Sequence, residues 1–117
     1  MTSRIETNLD FIKAVGDKNS KKRQNLIKSA SEDNILSLVE IAHNTLKGKL
    51  PLDESTEKKL NRYRRSIRQL ANTKGSIKTK KNILIKKGGF LPLLIPPVLY
   101  LIGSCIGKTA LGVLQEL

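Results

Sequence analysis

The chain has 117 residues, with 22 Lys or Arg against 10 Asp or Glu, one Cys, one His, no Trp and a net charge of +12. That is one domain's length at most, and a single cysteine excludes an internal disulfide framework and fits a reducing compartment. The aromatic residues Phe11, Tyr63, Phe90 and Tyr100 are too few and too scattered to stack successive bases, as single-strand binders do.

Met1–Val15 is polar and mixed in charge, without the apolar stretch of a secretory signal. Thr7-Asn8-Leu9-Asp10 reads as a capping-box-like start for a short helix carrying Leu9, Phe11, Ile12 and Val15, ended by Gly16. A second short helix is expected over Ser20–Ser29, with Leu26 and Ile27 apolar. Its run Lys21-Lys22-Arg23 reads as a solvated face.

Ser31-Glu32-Asp33-Asn34 supplies an N-cap with acids in the first turn, where the helix dipole favours them. The helix that follows carries one apolar stripe, Ile35, Leu38, Val39, Ala42 and Leu46. Gly48 suits the residue just past its end. His43 lies off the stripe centre and reads as a surface or boundary residue. Leu50-Pro51-Leu52 is a turn, and Asp53 or Ser55 then caps a helix reaching about Leu70, with Leu60, Tyr63, Ile67 and Leu70 apolar. Asn72-Thr73-Lys74-Gly75 is a further turn, and Ser76 caps a short helix over Ile77–Lys87.

Charge is concentrated in this part of the chain. Lys58, Lys59, Arg62, Arg64, Arg65, Arg68, Lys74, Lys78, Lys80, Lys81, Lys86 and Lys87 lie in a stretch with no Asp or Glu. The basic residues elsewhere balance the acidic ones, so the net charge resides here. Localised positive charge of this size calls for a polyanion: nucleic acid, an anionic lipid surface or an acidic protein. With Tyr63 as the one interleaved aromatic, phosphate contacts are expected over base readout, and arginine forks suit phosphate oxygens.

Gly88-Gly89 follows, and then a segment without charge as far as Gly107. Phe90, Leu91, Leu93, Leu94, Ile95, Val98, Leu99, Tyr100, Leu101 and Ile102 are its candidate membrane- or partner-binding residues. Its length is borderline for a membrane span, and Pro92, Pro96 and Pro97 argue against one straight helix. A helix is expected at least from about Pro97, with Gly103, Gly107 and Gly112 forming a small-residue face. Such a segment either meets a membrane or completes the core of the bundle.

The expected fold is all-α: a small bundle of four or five short helices over residues 1–87, a Gly-Gly hinge at 88–89, and a Pro/Gly-interrupted apolar tail over 90–117. No glycine-rich phosphate loop, no paired carboxylates and no Cys/His pairing is present. The sequence therefore points to a binding protein rather than an enzyme, with no metal or cofactor implied.

Three runs carry a family resemblance: Leu38–Leu52, Lys58–Ala71, and Ser76–Pro92 with its Gly-Gly-Phe-Leu-Pro end. Over roughly Ser20–Leu101 the chain resembles a small open reading frame of Maverick/Polinton-type transposable elements and adintoviruses. That product is similar to adenovirus core or minor capsid proteins. The resemblance implies a virion protein of the host nucleus or cytoplasm, membrane-associated at some stage. Its implied partners are DNA bound without sequence preference, a membrane or capsid protein through residues 90–117, and an adenovirus-type protease; self-association is expected on separate grounds, from the thin core of so small a bundle. Gly88-Gly89 would be the processing site. A cut after Gly89 puts Lys86 where that protease type takes an apolar residue; a cut after Gly88 puts Lys87 where glycine is preferred. The residues themselves leave three readings open: nucleic-acid binding, a membrane-anchored or membrane-lytic protein whose basic stretch serves anionic lipid, and a helical interaction module with the tail as core or oligomer interface.

Overall fold

The computed structural model describes residues 4–17, 19–72 and 74–116, with 104–116 as helix only. All regular structure among them is helical. The elements are α1 (Arg4–Thr7), α2 (Leu9–Val15), α3 (Ser20–Lys28), α4 (Glu32–Leu46), α5 (Glu54–Leu60), a 3-10 turn (Asn61–Tyr63), α6 (Arg64–Asn72), α7 (Ile77–Lys87), a second 3-10 turn (Gly88–Phe90) and α8 (Leu91–Glu116).

α4 is the central element. Its N-terminus is a complete capping box: Asn34 N–H donates to Ser31 Oγ at 3.0 Å, and Ser31 N–H donates back to Asn34 Oδ1 at 3.0 Å. Ile35, Leu38, Ile41 and Ala42 are almost wholly buried. Ile41 broadens the stripe beyond the expected positions, and Leu46 lies at its half-buried edge. α1, α2, α6 and α7 all pack on α4. The buried hydroxyls of Ser37 and Thr45 donate to carbonyls of their own helix, of Asn34 at 2.6 Å and Ile41 at 2.8 Å, so no polar group is stranded there. Gly48 ends the helix at φ +70°, a conformation that costs a side chain about 1 kcal/mol.

The N-terminal segment departs from expectation. Asn8 stands at the N-cap position of α2 but makes no side-chain cap bond. Its amide is engaged elsewhere: Nδ2 donates to Asp33 Oδ2 at 2.7 Å and to the Arg4 carbonyl at 2.7 Å, while Oδ1 accepts from Asn34 Nδ2 at 2.6 Å. Arg4 Nε adds a 3.0 Å bond to Asp33. A buried amide thus ties α1 and α2 to the start of α4. Asn8→Ala strands these partners and should cost roughly 1–3 kcal/mol in a denaturation experiment. The hydrogen bond from Asn8, with help from Arg4, holds the Asp33 carboxyl below its ordinary value of 3.8. The Thr56 bonds do the same for Asp53. A lowered carboxylate stabilises the fold above its unfolded value and loses that contribution as pH falls through the folded one. Asp33→Asn should therefore melt lower than wild type at pH 7, with the gap closing below pH 3.8. A gap unchanged at pH 2 would exclude the ionic contribution.

The apolar segment is not a separate tail. Phe90, Leu91, Leu94, Ile95 and Val98 are at most 2% exposed, in the same core as α4. Packing does not break at the Gly-Gly pair, since Gly88 is itself buried. α8 is helical from Pro97 as expected and already begins at Leu91, so that it carries Pro96 and Pro97 in its interior. Pro92 sits in the first turn, where no donor is needed. Pro96 and Pro97 deprive the carbonyls of Pro92 and Leu93 of their helical donors. Both residues line a groove open to solvent, where water can replace those donors. Within Ile77–Gly103 an 18-residue window is, by length and composition, apolar enough to cross a membrane, at mean hydropathy 1.4, yet 44% of that window is buried inside the bundle. Of the expected small-residue face, Gly103 is exposed and faces open space, while Gly107 and Gly112, with Cys105, lie outside the residues whose side chains are described.

Gly16 explains how α8 approaches α2. A Cβ there would lie 2.9 Å from Ile95 Cγ2. Gly16→Val should force Ile95 out of place and cost about 1–3 kcal/mol, read as a lowered melting temperature. An unchanged melt would mean that α8 does not dock at this site.

Candidate polyanion-binding surface

The basic residues are carried by neighbouring elements. Lys58 and Lys59 lie on α5, Arg62 in the first 3-10 turn, Arg64, Arg65 and Arg68 on α6, and Lys74 in the following loop. Lys78, Lys80, Lys81, Lys86 and Lys87 lie on α7, which packs against α6. One apolar side of the α5–α6 path, Leu60, Ile67, Leu70 and Ala71, enters the core and leaves the cations to the outside. All are exposed except Arg64, Lys80 and Lys81, which are half-buried.

The fold itself engages some of them. Arg64 Nε donates to Asn61 Oδ1 at 2.7 Å, and its Nη2 lies 3.6 Å from Glu57. It alone of the expected contact residues forms a salt bridge among the described residues, while Lys59 attracts the Asp53 carboxylate from further off. Lys80 donates to the Gly75 carbonyl at 2.7 Å and Lys87 to Gln69 at 3.0 Å. Lys81 donates to the Lys28 carbonyl at 3.1 Å, at the end of α3, where the helix dipole favours a cation. Arg65, Arg68, Lys74 and Lys78 form the exposed outer part of the surface.

Tyr63 joins the basic helices to the apolar segment. Its ring stands against Phe90, centroids 6.3 Å apart and tilted by 58°. A Cβ on Gly89 would come 3.4 Å from the Tyr63 ring and hydroxyl. The expected hinge is therefore a packed helical joint between α7 and α8. A protease that threads an extended strand cannot engage it until this joint opens. In limited proteolysis, cleavage at Gly88-Gly89 should be slow in the native protein and speed up at least tenfold in Tyr63→Ala, which uncovers Gly89. Equal rates would mean that the joint opens freely.

Arg23 was expected on a solvated face with Lys21 and Lys22. Those two are exposed, but Arg23 is only 7% exposed. Its spacing carried the signal: Arg23 falls four and seven residues before the buried Ile27 and Ala30, on the inward side of α3. Gln24 Nε2 donates to the Ile85 carbonyl at 3.3 Å, which holds α3 on the end of α7. Arg23 thereby comes beside the α7–α8 joint. There it lines a groove with Lys58, Lys59, Arg62 and Tyr63.

No protein family, curated protein or solved structure matches this chain.

Proposed function

We propose that this protein binds nucleic acid through backbone phosphates, without reading base sequence. The observation that carries the reading is a cationic stretch from Lys58 to Lys87, uninterrupted by any acid and spread over adjoining helices. Its exposed members, with Arg64 alone forming a salt bridge among the described residues, repel one another until an external polyanion neutralises them. Few aromatics accompany them, which favours phosphate contacts over stacking. The resemblance to the Maverick/Polinton and adintovirus reading frame adds the setting: a virion-associated basic protein on packaged DNA.

The second reading is attachment to anionic lipid. It is favoured by the exposure of Tyr100, 70%, and Leu101, 36%, within the Ile77–Gly103 segment. It no longer requires the whole apolar stretch, because Phe90, Leu91, Leu94, Ile95 and Val98 already serve the core.

The test is a salt titration of the full chain on duplexes of unrelated sequence. The logarithm of the affinity should fall linearly with the logarithm of salt concentration, and affinity should be equal across sequences. A footprint confined to one sequence would refute backbone-only binding. Sedimentation with anionic vesicles, and none with duplex DNA at low salt, would decide for lipid.

A further inference from the structure

The groove beside Arg23 has features the wider basic surface lacks. Two adjoining lobes of about 660 and 470 Å³ share Arg23, Arg62, Tyr63 and Gly89. Lys58 and Lys59 border the first lobe, Lys86 and Lys87 the second, and no acidic residue lines either. Arg23 is more than nine-tenths buried. One of its terminal nitrogens, Nη1, donates to the Asp17 carbonyl at 3.1 Å. That partner is a neutral oxygen and leaves the charge uncompensated. Nε has no hydrogen-bond partner, the one such buried side-chain atom among the described residues.

A buried guanidinium with an idle donor and no counter-charge is costly, and is retained where something else supplies the acceptor. An oxyanion does so. Tetrahedral phosphate can take parallel bonds from one guanidinium while its other oxygens meet further cations. Arg62 and the lysines line the same two lobes as Arg23.

We propose that this groove is a discrete binding site for a single phosphate group, with Arg23 at its floor and Arg62 at its rim. The site takes inorganic phosphate or a phosphomonoester, and goes beyond the diffuse surface proposed above because it saturates at one equivalent. It does not need the outer cations Arg65, Arg68, Lys74 and Lys78.

The experiment is a nuclear magnetic resonance titration of the full chain, following arginine Nε–Hε signals. The titrants are sodium phosphate, adenosine monophosphate, adenosine, and sodium chloride at matched ionic strength. The Arg23 signal should shift saturably with phosphate or the monophosphate and not with chloride or adenosine. Arg62→Gln, a surface change, should weaken that binding at least fivefold, whereas Lys49→Gln on the loop after α4 should leave it unchanged. Arg23→Lys keeps the charge but loses the fork, and should abolish saturation. No saturation by either phosphate, saturation by adenosine, or equal affinity in Arg62→Gln would each overturn the site. Duplex binding measured on the same samples separates the two proposals: retained DNA binding without phosphate saturation removes the groove alone.

Discussion

A chain ending at Gly89 should fail to fold. The residues lost include Phe90, Leu91, Leu94, Ile95 and Val98, none more than 2% exposed. Each such side chain contributes about 1.5–3 kcal/mol on burial. Together they match the roughly 5–15 kcal/mol by which a domain of this kind is stable. Circular dichroism of residues 1–89 should show weakened helix and no cooperative melt. The finer test is Leu94→Ala in the full chain, which leaves every helix its sequence but opens a cavity. A loss of about 2–5 kcal/mol is expected. A truncated protein with an unchanged melting temperature, or a neutral Leu94→Ala, would return the segment to the status of a free tail. It follows that nucleic-acid binding has to be measured on the full chain. A failure of residues 1–89 to bind would report on folding rather than on the basic surface.

Changing Arg65, Arg68, Lys74 and Lys78 together to Gln should nearly abolish DNA binding while leaving the fold intact. These side chains are exposed and lie outside the core. With a salt slope of about −0.9 per phosphate contact, each contact is worth roughly tenfold in affinity near 0.1 M salt. Loss of all these contacts should weaken binding by roughly three and a half to four orders of magnitude and flatten the salt slope by about 3–4 units. Arg64→Gln is the instructive contrast. It removes a contact to Asn61 and Glu57 within the α5–α6 path, and should affect stability more than DNA affinity. An unchanged slope in the combined variant, with its melting temperature preserved, would remove the phosphate-binding reading.

Much of the fold was legible because it is local. Ser31, Asp53 and Ser76 each stand immediately before a helix and accept from a backbone N–H three residues on. Capping involves near neighbours in the chain, so it can be read from their order. The apolar stripe of α4 and the left-handed Gly48 were legible for the same reason. The candidate surface was legible as composition: an excess of charge confined to one stretch must be solvated or neutralised wherever the chain folds.

Asn8 and the Phe90–Val98 segment were not legible in this way, and for Arg23 the spacing ahead of Ile27 and Ala30 marked the side of α3 but not what packs on it. A polar side chain near a helix start has a local partner available, and only the approach of Asp33 and Asn34 draws Asn8 away from the cap. Arg23 belongs to a basic triplet that looks solvated. Its burial depends on α3 lying against α7, held by a bond between Gln24 and Ile85, residues far apart in sequence. The apolar segment is the clearest case. Transfer from water is favourable into lipid and into a protein interior alike, so an uncharged run predicts burial but not its destination. The destination was set by complementary surfaces elsewhere in the chain: the bare Gly16 against Ile95, the Tyr63 ring against Phe90, and the core side chains around them. Helical content, caps and the concentration of charge follow from neighbouring residues. The core role of the apolar segment and the groove at Arg23 follow from contacts between residues distant in the chain, which arise only once the helices have packed.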